Sequence, residues 1–481
     1  MHYKRYLLPS LCLVSLILTS CGGVLYTPPT AAVHCDIDPA LLEPKAPTEA
    51  EGKTTIELWA TAERQYCWRV YAPLVTAHQR PDLALSVRIH NLEINEGPLG
   101  ERLMELSTRG NAPDIAYLFN QAAVKLGKAG HLYSLNNCRK KPEFHDIPDE
   151  FWTNFSDDGQ AWGIPIDMEA IFLFYNKTIL AQLGWTDSQI DELPARIDSG
   201  DFLLDDLIAT ARKAVATNVV QPGLALIPNR AQRTTIESLY VHGGGQFVDQ
   251  ERQQLLIQHN ALEQTYSFLA ALHRHQLLDA TLAIPSFGDW GNKLILRDAA
   301  AHDRVLFWQA HASEFPRLAM DYQTINHGDI NVQSDTAMLN KQIGIALIPA
   351  TTKNRMAYTR LVNSGQYVIF APQATGRTNQ EAACDLFAAT YNSDLLKKHG
   401  QKSGLITFVD GGFYLPDWFS SQLSLDSLIW LPPYFPKINE YSEIIVETGV
   451  RVELGELNAS EAVGVAIQRL RDTFGSQIIV E

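Results

Sequence analysis

GQAWGIPIDMEAIFLFYNKTILAQLGW, residues 159–185, contains a strand-like segment, IPIDMEA, interrupted by a proline, and IALIPA at 345–350 repeats that character. On the N-terminal side of the first segment the chain alternates between two periodicities. TTIELWA (54–60) reads as a buried strand. RVYAPLVTAHQR (69–80) sets Val70, Leu74 and Val75 on one helical face and stops at Pro81. Leu83, Leu85, Val87 and Ile89 then alternate with period two, which predicts a second strand. PLGERLMELSTRG (98–110) places Leu99, Leu103 and Leu106 on one face and ends in a C-cap at Gly110. PDIAYLF (113–119) reads as a third buried strand and QAAVKLGKAG (121–130) as a further helix. Strand and helix in alternation predict an α/β fold with parallel strands joined by crossover helices. Further on, NALEQTYSFLAALHRHQLL (260–278) and NQEAACDLFAATYNSDLLKKHG (379–400) read as long amphipathic helices.

The chain begins differently. Lys4 and Arg5 precede an apolar run from Leu7 to Leu18, and Thr19 and Ser20 lead into Cys21. That run is too short to span a bilayer, which needs roughly 20 residues, and it matches a secretory signal (1–20). LTSC resembles the lipobox of bacterial lipoproteins, which implies lipidation at Cys21. Residues 21–53, with prolines at 28, 29, 39, 44 and 47, read as a tether between anchor and folded body. Removing Lys4 and Arg5 with the signal moves the formal charge from -15 to -17, which disfavours nucleic acid or an anionic membrane surface as partner. With 46% hydrophobic and 19% charged residues the remainder suits a globular fold with a sizeable core. Of six cysteines, Cys12 leaves with the signal. Cys35, Cys67, Cys138 and Cys384 form an even set, and two disulfides are expected in an oxidising compartment.

Catalytic signatures are missing: the sequence has no HExxH, GxSxG, GxxxxGK[ST] or strand-following GxGxxG. HGGGQF (242–247) precedes an extended-looking stretch, so it reads as a glycine bend and not a phosphate cradle. His273 and His275 point in different directions on a helix, and no metal site is expected. Asp157–Asp158 and Asp205–Asp206 read as solvated turn and helix N-terminal residues. Aromatic residues beside short polar ones recur at strand ends, in LWATAERQYCW, YLFNQAA and VLFWQAH. In parallel sheets ligands gather at the carboxyl ends of strands, where rings can stack on a sugar and amides and carboxylates can bind its hydroxyls.

The order of these phrases resembles that of the extracellular solute-binding proteins of carbohydrate-type ABC importers. QRPDLAL, GNAPDIAYL, AGHLYSLNN, the 159–185 stretch, LYVHGGGQFVD, IGIALIPA and NASEAVGVAIQRLRDTF hold the family's places over nearly all of residues 54–475. The resemblance implies two mainly parallel α/β lobes joined by a hinge, 54–167 plus 350–397 and 169–344 plus 398–481. By that mapping a bridge from Cys384 to Cys67 or Cys138 would staple the returning segment to the first lobe. The implied function is a monomeric, lipid-anchored binding protein, facing the periplasm or the cell exterior. It would capture a saccharide for a membrane permease, with no cofactor and no catalysis. Sensing or scaffolding is the alternative, and a glycan-acting enzyme a lesser one. The implied ligand contacts are Glu63 and Arg64 after the first strand, Asn120 and Gln121 after the third, and Asp167 and Glu169 at the hinge. Trp308 and His311 join them from the second lobe, Gly365 and Gln366 lie opposite, and Trp290 is a further candidate. Two phrases depart from the pattern: NSGQY puts Gln366 where a stacking tryptophan is usual, and FLLDDL replaces a tryptophan-containing helix start.

Overall fold

A computed structural model of the chain describes residues 53–60, 67–91, 96–145, 147, 149, 152, 156–157, 159–228, 234–249, 251–279, 290–319, 336–353, 357, 359–409, 412–417, 429–430 and 437–481. The chain divides into Met1–His34 and Cys35–Glu481, and every described residue belongs to the second unit. Cys21 and Cys35 lie outside the described residues, as does the expected signal and tether.

Three N-terminal strands, β1 (Thr54–Ala60), β2 (Leu85–Asn91) and β3 (Ile115–Phe119), pair in parallel with β1 in the middle. Helices α1 (Cys67–Gln79) and α2 (Glu96–Thr108) connect them, and α3 (Asn120–Lys128) follows β3 directly. The period-two run at Leu83 starts two residues late as a strand. Pro81–Leu83 forms a 3-10 turn and Ala84 takes a left-handed conformation with φ 51°, so extended pairing begins at Leu85.

The quoted stretch becomes the axis of the molecule. Strand β4 (Ile164–Asn176) is buried at all thirteen positions. It has partners along its whole length: β5 (Phe307–His311), β6 (Ile343–Ala346), β7 (Thr359–Ile369) and β8 (Ile406–Val409) all pair with it antiparallel. A strand covered on both faces needs a continuous apolar run, and IFLFY provides it, each large side chain contributing about 1.5–3 kcal/mol on burial. Pro165, which cannot donate to a ladder, sits at the second position. Strand β7 runs beside β4 and also pairs with β3, so two strands pass through both halves of an 11-stranded sheet. The early halves of β4 and late half of β7, with β1–β3 and β8, make the first lobe. The late half of β4 and early half of β7, with β5 and β6, make the second.

Near the expected boundary at 350, Ala350 accepts the amide of Leu204 and Thr351 donates to the carbonyl of His242. Position 397/398 falls inside helix α5 (Ser393–Ser403), and β8 beyond it pairs with Asp167 and Met168. The long amphipathic run 379–400 divides into α4 (Gln380–Thr390) and α5, because Asn392 Oδ1 caps the amides of Asp394 and Leu395. In the second lobe His259–Arg274, Ile438–Glu453 and Ala459–Phe474 pack on one another.

The returning segment is fastened to the first lobe by two devices. Asp114 of the PDI phrase is 1% exposed and accepts from the Glu57 amide (2.8 Å), Arg377 Nε (2.9 Å) and Asn379 Nδ2 (3.2 Å). A disulfide joins Cys138 to Cys384 on α4, flanked by hydrogen bonds from Tyr133 to Glu381 and Lys141 to Asp385. The Cys67 side chain lies outside the described residues.

Candidate functional site

Asp167 and Glu169 are the polar residues that β4 carries through the junction of the lobes. Asp167 is fully buried. Tyr117 Oη on β3 donates to its Oδ1 at 3.0 Å, and His399 Nε2 on α5 lies 2.7 Å from its Oδ2. Glu169 is 9% exposed. Ser313 Oγ donates to its Oε1, and His311 Nδ1 stands 3.0 Å from its Oε2. Among the described residues neither ring nitrogen of His311 has a partner with hydrogen-bond geometry. Both carboxylates are thereby engaged by the protein, as buried charges must be. Glu169 is the member with surface left.

Gly365 pairs with Asp167 and is explained by Tyr117. A Cβ at 365 would lie 1.3 Å from Tyr117 Oη and 2.7 Å from Asp167 Oδ1, so the missing side chain makes room for the phenol. Gln366 is fully buried beneath Gly163, whose own Cβ would fall 1.6 Å from Gln366 Oε1. Among the described residues neither its amide oxygen nor its nitrogen finds a partner. Both residues are thus packed within the sheet.

Trp308 is packed inside the sheet too. It is 3% exposed, and its ring stacks on Phe174 at 5.6 Å, which in turn stacks on Phe315 at 6.0 Å. Strand register sets Trp308 opposite Phe174, and an aromatic facing an aromatic across a sheet packs against it. Glu63 and Arg64 lie outside the described residues. Asn120 and Gln121 open α3, and Trp290 opens the helix Trp290–Ala301; their side chains are likewise outside what is described. Tyr117, Ser313 and His399 were not singled out from the sequence. Their partners are 50, 144 and 232 residues away, and no local pattern reports such pairings.

Other motifs fall into place as structure. Gly243–Gly245 form a bend between the helix Thr234–His242 and the strand Val248–Asp249. Asp206 Oδ2 accepts the Leu203 amide at a helix start. His273 Nδ1 bonds to the Glu453 carbonyl. Among the described residues no cluster of three or more metal-binding side chains occurs, and no helix is long and apolar enough to cross a membrane. A small apolar cavity inside the first lobe, lined by Ile164, Ile166, Tyr367, Phe387, Leu396 and His399, sits in the core and not between the lobes.

No protein-family model matches the sequence, and no curated protein does either. Solved structures do. The GacH receptor of Streptomyces glaucescens, solved unliganded and with acarbose, aligns with a TM-score of 0.64 at 14% identity, over 87% of this chain and 98% of its own. The fold is that of the two-lobed solute-binding proteins. The sugar-binding protein MalE of Xanthomonas citri shares the solute-binding-protein fold at a TM-score of 0.64 and 14% identity, over 87% and 97% of the two chains. A solute-binding protein of Thermotoga lettingae bound with α-D-tagatose gives 0.60 and 16%, over 87% and 99%.

Proposed function

We propose that this chain is the exported, lipid-anchored, monomeric binding component of an ABC importer, which captures a saccharide or similar polyol between its lobes. The observation that carries the reading is the pair of strands, β4 and β7, which pass through both lobes and bring Asp167 and Glu169 to their junction in a solute-binding-protein fold. Two lobes sharing two strands can rotate about them, and a solute touching both lobes favours the closed arrangement. Glu169, with surface left, is the hinge residue placed to accept from a hydroxyl. A binding role rather than catalysis is favoured by the neighbours of like fold, which are binding proteins.

A thermal-shift screen against mono- and oligosaccharides tests the reading, since a ligand bound only by the folded state raises the melting temperature by about RT ln(1 + [L]/Kd) in free energy. Recovery of the ligand unchanged separates capture from turnover, and a panel without any shift removes the proposal. Cys21→Ser tests the anchor: the variant should stay unprocessed or leave the membrane fraction, and complete partition into detergent would sink the lipoprotein reading.

A further inference from the structure

Asp167 and Glu169 are two residues apart on β4, so their side chains leave the same face of the strand. They are held from opposite lobes. Tyr117 and His399, which hold Asp167, stand on β3 and α5 of the first lobe. Ser313 and His311, which hold Glu169, stand at the end of β5 in the second. The register of β7 slips between these two points: Val362 pairs with Glu169 and Gly365 with Asp167, so three steps of β7 oppose two of β4. It slips back between Gly365 and Gln366. Bulges bend a strand and raise its local twist, so the ladder is disturbed on both sides of Asp167, and the step to Glu169 is one of the two irregular ones.

A second contact joins the two clusters. Gly404 caps α5 with φ +76°, and a Cβ there would lie 2.7 Å from the Ala312 carbonyl oxygen and 3.0 Å from Ser313 Cα. The end of the helix that carries His399 therefore rests on the backbone that carries Ser313, at a distance open only to glycine. Any change of lobe angle must slide Gly404 over Ala312–Ser313 or break one of the carboxylate clusters.

We infer that the pivot of the hinge is the single step from Asp167 to Glu169, and that the two carboxylates are clamps, one fastening the pivot to each lobe, which together set the lobe angle of the unliganded protein. Tyr117, His399, Ser313 and His311 are positioning residues: they tune the open–closed balance without touching solute. The consequence for solute affinity rests on the proposed binding function, whereas the pivot itself rests only on the fold.

Hydrogen exchange and small-angle scattering of the unliganded full chain test this. Tyr117→Phe and Ser313→Ala each delete one hydroxyl with little change of shape. Tyr117→Phe should speed exchange about 10-fold in 164–168 and 406–409 and leave 171–176 and 307–311 as in wild type, and Ser313→Ala should do the reverse. Both should broaden the scattering-derived distance distribution, and Gly404→Ala should shift its maximum. Exchange that rises equally on both sides of the pivot, or on neither, overturns the inference. So does a lowered melting temperature with an unchanged distance distribution, the signature of plain structural support. Failure of the solute reading shows separately, as the absence of any ligand-induced shift in the wild-type protein.

Discussion

Gly365→Ala is the most incisive single substitution. Gly365 lies outside the left-handed region, so alanine meets no backbone penalty there and the effect is purely steric. The new methyl would sit 1.3 Å from Tyr117 Oη and 2.2 Å from Cζ, so the ring itself must move. That ring is fully buried and packs edge-on against Tyr367 at 5.8 Å. Forcing it aside costs about 1–3 kcal/mol of overpacking. It also removes a hydrogen bond to a buried carboxylate, about 1.5–3 kcal/mol. A loss of about 3–5 kcal/mol is expected, read from urea unfolding followed by tryptophan fluorescence. The double variants decide the cause. With Tyr117→Phe the ring carbon still clashes but the hydrogen bond is already gone, so Gly365→Ala should cost only the overpacking part, about 1–3 kcal/mol. In a Tyr117→Val background the space is free, and the same substitution should cost less than about 1 kcal/mol. If Gly365→Ala is harmless alone, or costs the same in the valine background, the steric account of the hinge glycine is wrong.

Trp308→Ala should cost about 3–5 kcal/mol in unfolding free energy through loss of core packing, while any binding that survives in the folded fraction keeps its affinity. A weakened affinity in a variant of unchanged stability would return Trp308 to the solute site. The Cys138–Cys384 bridge closes a loop across a sequence separation of 246, so Cys138→Ser with Cys384→Ser should lower stability by up to about 5 kcal/mol, and non-reducing peptide mapping should recover the bridge in wild type. Asp114→Ala removes the shared acceptor of Glu57, Arg377 and Asn379; a loss of about 3 kcal/mol in the same unfolding assay is expected, and less than 1 would show the brace to be incidental. His275, at the C-cap of His259–Arg274, is held below the ordinary histidine value of 6.5 by partial burial first and by Arg212 and Arg274 next. The unfolded chain then takes the proton more readily, so stability should fall as pH drops through about 6.5, and His275→Gln should flatten that slope. Identical slopes between pH 5.5 and 7.5 in both proteins would discount His275.

Periodicity determined the elements. The strands at 54–60 and 115–119, the helices among them and the capped closing helix Ala459–Phe474, with its Asn458–Glu461 capping box, follow from neighbours in sequence. The order of phrases around Ile164–Asn176 was enough to expect two lobes and a polar hinge. Where local signals compete, the sequence was less legible. Nothing in the alternation of Leu83 and Leu85 announces the left-handed Ala84 between them, and the break at Asn392 hides inside a run that is amphipathic on both sides.

The tertiary structure alone shows which partners the two carboxylates meet. Asp167 and Glu169 look like two exposed ligand carboxylates until Tyr117, His399 and Ser313 arrive from 50, 232 and 144 residues away. The stacking of Trp308 on Phe174 comes from strand register, which the local sequence does not display. The physical reason is the range of the forces concerned. Helix and strand periodicity, caps and turns act between residues a few positions apart, and the sequence displays them directly. Burial, the pairing of a buried charge and the room left by a glycine depend on which distant segments the fold brings together. Only the packed chain contains that information.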